Sequence, residues 1–266
     1  GIILKTYETG SLSLGRGTMD YLKFGNGERV FIILPGISLR SVMFSAGAVN
    51  AAYKMFSVDY TVYLFDRLRD IPEGCTIKDM AEDTVDAMNA LGIDRAYLFG
   101  ASQGGAMALY LGIYFPERVE KIVAGSAFAR INPVAEENLH KWIKASKEYN
   151  VRELNTDFFN KIYSYGFCNE NRKAFEILAD VGTREECERF KRMTEANLGF
   201  DIYEELIKIK CPVLVIGGRE DRVLGSDSST EIGEKLKCEM YIYEDYGHAV
   251  YDEAPDYKRR IFDFFK

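Results

Sequence analysis

The sequence predicts an α/β fold: a mostly parallel central sheet flanked by helices, with a helical segment inserted after the sixth strand. Three observations carry that expectation. "RVFIILPG", "YTVYLFD", "AYLF", "KIVAGSAF" and "CPVLVIGG" are continuous apolar runs, the mark of strands buried on both faces. Helix-period segments alternate with the early ones, and such a succession calls for parallel strands joined by right-handed crossovers. The alternation then stops between residues 129 and 210, where helix-like segments follow one another.

The elements can be taken in order. "KTYETGSLSL" and "MDYLKFGNG" alternate and run into glycines, which predicts an antiparallel start. In "TIKDMAEDTVDAMNALG", Ile77, Met80, Ala81, Thr84, Val85 and Met88 follow the i, i+3, i+4, i+7 spacing of an amphipathic helix. Thr76 with Asp79 reads as its capping box, and Gly92 stands where a C-terminal cap belongs. "GGAMALYLGIYF" predicts a further helix, which Pro116 helps to end. "AEENLHKWIKASKEY", "TDFFNKIYSYGF", "NRKAFEILADV" and "REECERFKRMTEANL" form the inserted helical stretch. "CPVLVIGG" and "EMYIYED" restore the strands, and "DEAPDYKRRIFDFF" closes the chain as a helix. The expected division is a core of residues 1–128 and 211–266 with a cap of residues 129–210.

Composition narrows the function classes. The 266 residues are 47% hydrophobic and 28% charged, with a net charge of −7 and acids and bases mixed throughout. No basic cluster offers the phosphate-neutralising surface that nucleic acid needs, so no nucleic-acid partner is expected. No apolar run approaches the roughly 20 residues of a spanning helix. "GIILK" is too short and lacks the flanks of a secretory signal. Cys75, Cys168, Cys187, Cys211 and Cys238 are odd in number, widely spaced and without a C-x-x-C pair. With only two histidines, this predicts free thiols in a reducing cytoplasm, no metal and no cofactor.

The chemistry-bearing stretch is "AYLFGASQGGAMALYL". Gly100-Ala101-Ser102-Gln103-Gly104 matches G-x-S-x-G between a predicted buried strand and a predicted helix. A nucleophile placed on a sharp strand-to-helix turn needs small neighbours, and the helix start points free N–H groups and partial positive charge at it. A serine nucleophile needs a base. His140 lies inside an inserted helix, whereas His248 lies in a Gly-containing loop after the last strand, where α/β folds hold their sites. The base needs a carboxylate. Asp221, directly after "CPVLVIGG", has the best placement, with Glu220, Asp227 and Asp245 as neighbouring alternatives.

The order Ser102, Asp221, His248 resembles that of the α/β-hydrolase superfamily, in its capped single-domain serine hydrolase and esterase branch. The similarity runs over nearly the whole chain, through "ILPG", "YLFGASQGG", "YFPERVEKIV", "CPVLVIGGRED" and "YGHAVYDEAPDYKRRIFDFF". It implies an α/β-hydrolase fold and an oxyanion hole built from the backbone N–H groups of Ile37 and Gln103. Many relatives have His-Gly where this chain has Pro35-Gly36, which removes a side chain that often braces the loop and leaves Ser38 as an alternative donor. Relatives that cleave carbon–halogen bonds carry aspartate at the nucleophile position, so that activity is not expected here.

The inserted stretch is rich in aromatics. Phe128, Phe158, Phe159 and Tyr163, with Ser38, are candidates to line a substrate pocket, although packing within the cap accounts for most such rings. The expected function is cleavage of a small or medium carboxylic ester through an acyl-enzyme, by a cytoplasmic monomer or homodimer acting on a small acyl substrate. Acyl transfer and carbon–carbon bond hydrolysis use the same triad. A small-molecule receptor or signalling protein on the same fold is the alternative outside enzymology.

Overall fold

The computed structural model describes residues 6–266; the "GIILK" segment lies outside them. Eight strands form one sheet: β1 (Tyr7–Leu14), β2 (Gly17–Phe24), β3 (Arg29–Leu34), β4 (Tyr60–Leu68), β5 (Ala96–Ala101), β6 (Val119–Gly125), β7 (Val213–Gly218) and β8 (Glu239–Tyr243). Their spatial order is β1-β2-β4-β3-β5-β6-β7-β8. The β1–β2 hairpin is antiparallel, β2 pairs antiparallel with β4, and every pairing from β4 through β8 is parallel. The C-terminal ends of six strands therefore open onto one edge.

Successive residues of a strand face opposite sides of the sheet, and β3 shows the consequence. Its Ile32 and Leu34 enter one core with α2 (Ile77–Ala90) and α3 (Gln103–Tyr114). Its Phe31 and Ile33 enter the other, with Phe56, Tyr257, Ile261 and Phe265. The Thr76–Asp79 capping box forms reciprocally at the start of α2. Gly92 follows that helix with φ +70°, the left-handed geometry glycine supplies at a C-terminus. α3 is buried along Gln103–Ile113, which its glycines and alanines permit by letting the backbone approach the sheet.

Two helices lay outside the sequence expectation. α1 (Ala46–Ala52), after a 3₁₀ turn at Val42–Ser45, joins β3 to β4. α9 (Asp227–Leu236) joins β7 to β8. The first is built from Ala, Gly, Val and Asn, and so carries little apolar periodicity to read.

Between β6 and β7 lie α4 (Pro133–Lys147), α5 (Val151–Ile162), α6 (Tyr165–Glu170), α7 (Arg172–Leu178) and α8 (Arg184–Glu195). The predicted continuous helix through "TDFFNKIYSYGF" breaks at Tyr163, because Ser164 accepts from Phe167 N–H and starts a new helix. A short antiparallel neck closes the segment: Arg130 bridges Asp201, Ile202 N–H donates to Ala129 O at 2.8 Å, and Ile131 N–H to Phe200 O at 3.3 Å. The 3₁₀ turn at Glu204–Lys208 beyond the neck packs on α3 and α9. Side chains tie the helices to the strand-end loops. Asn132 donates to Leu224 O, Asn138 to Val223 O, Arg189 to Leu68 O and Arg192 to Ile71 O. The helical segment thus lies over the C-terminal edge of the sheet. α10 (Val250–Glu253) and α11 (Tyr257–Phe265) complete the chain.

Candidate active site

Ser102 sits between β5 and α3 with φ 53° and ψ −116°, a conformation that costs a non-glycine residue about 1–3 kcal/mol. Its surroundings hold it there: Ser102 N–H donates to Gly125 O at 2.8 Å and Ala106 N–H returns to Ser102 O at 3.1 Å. The flanking glycines explain themselves. A Cβ on Gly100 would collide with the backbone of Gly104, and one on Gly104 with the carbonyl of Leu34. The Ser102 hydroxyl makes no hydrogen bond with another described residue.

His248 is buried in the loop between β8 and α10, and its Nδ1 lies 2.8 Å from Asp221 Oδ2. Asp221 Oδ1 accepts from the N–H groups of Val223 and Leu224, both at 2.9 Å. A carboxylate so placed only accepts, which puts the imidazole proton on Nδ1 and leaves the Nε2 lone pair free. Ser126, another strand-end residue with positive φ, donates from Oγ to His248 O at 2.5 Å and pins the loop. The other acids are elsewhere: Glu220, Asp227 and Asp245 are exposed. His140 is exposed on α4, 3.4 Å from Glu136.

Ser102, Gln103, Ile37 and His248 line a cavity of about 30 Å³, whose walls include Phe128, Trp142, Phe158 and Leu224 and no Lys, Arg, Asp or Glu among the described residues. A second, larger cavity of about 580 Å³ adjoins it. The two share Gly36, Ile37, Phe158, Ile162 and Tyr251 as walls, and the larger one takes in Ser38, Phe159 and Tyr163. Of the five candidate pocket residues, then, Phe128 borders the small cavity, Phe158 both, and the other three the large one. Ser38 Oγ is turned to Arg40 O at 2.6 Å. Phe159 stacks on Phe175 at 5.0 Å and Tyr163 on Phe167 at 4.5 Å, so both rings also pack within the helical segment.

The residue that sequence reasoning missed is Arg67. It is buried at the end of β4; its Nη2 donates to Pro35 O at 2.6 Å and its Nε to Gln103 Oε1 at 3.1 Å. Gln103 Nε2 in turn donates to Met193 O and Asn197 Oδ1, at 2.9 and 3.0 Å. Burial pulls the Arg67 guanidinium down to about 10, partly offset by Asp66, so it remains charged at neutral pH. Asp66 accepts from Ser41 Oγ and Arg189 Nη2, extending the network to the 35–45 loop and to α8. The available signal was "FDRLRD", a cluster of charges closing an otherwise apolar strand.

All five cysteines are free, and burial pushes each thiol upward, Cys211 to about 11. Among the described residues no group of three His, Cys, Asp or Glu is placed to hold a metal, and no helix is long and apolar enough to cross a membrane.

A strained serine on a strand-to-helix turn, at the C-terminal edge of a mostly parallel sheet, points to a class of fold that comparison with known proteins also reaches. Residues 29–145 match the family model described as alpha/beta hydrolase fold. A 3-oxoadipate enol-lactonase of Acinetobacter baylyi is 27% identical over 200 residues, 74% of this chain and 73% of its own. A 2-hydroxy-6-oxo-6-phenylhexa-2,4-dienoate hydrolase of Comamonas testosteroni is 26% identical over 234 residues, 82% of this chain and 79% of its own. The crystal structure of MGS-M2, an alpha/beta hydrolase from a Medee basin deep-sea metagenome library, superposes with a TM-score of 0.86 at 22% identity, covering 96% of this chain and 97% of that one. The chain has the α/β-hydrolase fold.

Proposed function

We propose that the protein is a serine hydrolase that cleaves a small or medium carboxylic ester through an acyl-enzyme. The observation that carries this reading is a strained, unpaired Ser102 sharing one apolar cavity with His248, whose Nδ1 is held by Asp221. Ser102 Oγ attacks the ester carbonyl while its proton passes to His248 Nε2. The C–O bond to the alcohol then breaks, and the alcohol leaves with that proton. Water repeats the sequence on the acyl-enzyme, and Asp221 orients the imidazole and stabilises its cationic form. The N–H of Gln103, at the start of α3, and that of Ile37 hold the oxyanion.

The relatives named above act on an oxoadipate enol-lactone and a dienoate, compounds that bear carboxylates. Among the described residues no cationic side chain lines the cavity at Ser102, which favours an uncharged acyl group here. Turnover of nitrophenyl esters of graded acyl length, together with labelling by a fluorophosphonate, tests the reading. A protein that binds such esters but neither turns them over nor takes the label is a receptor on the same fold.

Arg67 acts as a positioning residue in this scheme. It grips the Pro35 carbonyl, one peptide before the Gly36–Ile37 unit, and the side chain of Gln103, so one guanidinium aligns both halves of the hole. It supplies the brace that Pro35 does not. Removing one donor of such a hole costs about 10²–10³ in kcat. Arg67→Lys, which keeps the charge but loses the fork, is expected to lower kcat by about 10–100-fold with KM nearly unchanged. A rise in KM alone would make Arg67 a packing residue.

Residues 129–210 act in this reading as a cap that sets acyl size. Phe158 is the key wall, since it borders both cavities and packs on Trp142 at 5.0 Å and Phe190 at 6.0 Å. Phe158→Ala is expected to raise the kcat/KM ratio of hexanoyl to acetyl ester by about tenfold, within the reach of apolar pocket discrimination. An unchanged profile in a folded variant removes Phe158 from the acyl pocket.

A further inference from the structure

The large cavity holds a group that ester cleavage does not use. Asp252, in α10, borders it four residues beyond His248. The residue is exposed and forms part of the cavity wall beside Tyr53, Tyr163 and Tyr251. It forms no hydrogen bond or ion pair with a described residue through its side chain. Tyr53, Tyr163 and Tyr251 border the same cavity, and each phenol feels the Asp252 charge while making no hydrogen bond of its own with a described residue. The phenols and the carboxyl therefore leave their polar atoms to whatever fills about 580 Å³.

Nearby cations do not neutralise this group by contact. Arg40, the other charged residue in the wall, pairs with Glu186 at 3.6 Å and lies over the Phe44 ring at 3.8 Å. Lys258 stands behind the wall: its Nζ donates to Tyr251 O at 2.9 Å and lies 5.3 Å from the centre of the Tyr53 ring. One ammonium thus already rests on a tyrosine of this cluster. Electron-rich rings around a lone carboxylate form the environment in which alkylammonium ions are recognised, through cation–π attraction and charge.

From this geometry we infer that the large cavity is a subsite for an organic ammonium group, with Asp252 as its counter-ion and Tyr53, Tyr163 and Tyr251 as its aromatic walls. As a statement about substrate, this rests on the ester-hydrolase reading. It makes the preferred ester one that carries an ammonium head at the end away from the scissile bond. As a statement about binding, it stands on the cavity alone.

Keeping an unpaired carboxyl there costs the fold something. Burial pushes Asp252 up to about 6, against an opposing pull from Lys258 and reinforcement from Glu253. A carboxyl raised above its unfolded value favours the fold below about pH 4 and loses that contribution as pH rises through about 6. Asp252→Asn should accordingly raise Tm at pH 7.5, with the gain fading towards pH 4. A group retained against stability in the wall of a cavity is what a binding role predicts.

Calorimetric titration of the whole protein with choline and with its uncharged isostere 3,3-dimethylbutan-1-ol tests the subsite without requiring turnover. Choline is expected to bind about tenfold more tightly than the isostere at pH 7.5. The preference should fall about tenfold in Asp252→Asn, and also in the wild type as pH drops from 7.5 to 5. In that range Asp252 takes up a proton, while burial keeps the phenols of Tyr53, Tyr163, Tyr251 and Tyr257 protonated. Equal binding of the two probes, no binding of choline, or an Asp252→Asn protein that binds choline as well as the wild type overturns the proposal. So does glycerol binding that depends on Asp252 in place of choline, since it marks a polyol site. Choline binding to a protein that cleaves no ester would sink the hydrolase reading and leave the subsite standing.

Discussion

Ser102→Ala is expected to abolish fluorophosphonate labelling and to lower kcat on a short nitrophenyl ester by on the order of 10⁶-fold, the loss a Ser–His–Asp enzyme shows without its nucleophile. The fold should survive the change. The Ser102 hydroxyl has no hydrogen-bond partner to orphan among the described residues, and the backbone contacts to Gly125 and Ala106 that hold the turn do not involve it. Alanine at φ 53° bears much the same strain as serine, so Tm should shift little. The informative competitor is Ser126, which also follows a parallel strand and also has positive φ. Its Oγ is committed to His248 O, so it holds the base loop and is not free to attack. Measured by intact-protein mass spectrometry, a label that persists in Ser102→Ala and maps to Ser126 would reverse the two roles.

The sequence and the structure meet most closely where chemistry and backbone geometry ask for the same residue. Gly100 and Gly104 were legible because a sharp strand-to-helix turn needs space, and the space is filled by neighbouring backbone. The strands were legible because burial on both faces leaves unbroken apolar runs, and the capping box of α2 because its two hydrogen bonds are local. Arg67 and Asp252 were not legible. The partners of Arg67 lie 32 and 36 residues away, so no local pattern marks it. The chemical meaning of Asp252 comes from a cavity whose walls include the 35–45 loop, α1, α5 and α10, segments far apart in the chain that only the fold brings together. The break at Tyr163 was hidden for a related reason: helix periodicity in "TDFFNKIYSYGF" outweighed a cap at Ser164. That cap is also held from outside, with Glu253 accepting from Ser164 N–H and Oγ.

Asp221→Asn should cost about 10⁴-fold in kcat with little change in KM, and the reason is the tautomer of His248. Asp221 uses both oxygens: Oδ1 accepts the two N–H groups of the following turn, and Oδ2 faces Nδ1 of the imidazole at 2.8 Å. In the asparagine variant the turn keeps its acceptor only if the amide oxygen takes the Oδ1 position. The amide NH₂ then faces Nδ1, and two donors cannot share that contact. His248 escapes by moving its proton to Nε2, which removes the lone pair that must accept the Ser102 proton. The backbone is unaffected because the turn bonds persist, so circular dichroism and Tm should stay near the wild type while turnover collapses. Fluorophosphonate labelling should slow in parallel, since it needs the same proton transfer. Asp227→Asn, Asp245→Asn and Glu220→Gln, all at exposed positions, should stay within about twofold of the wild type. A crippled Asp245→Asn beside an active Asp221→Asn would mean that His248 takes its orientation from the loop that carries it, and that the buried pair at 2.8 Å is only structural.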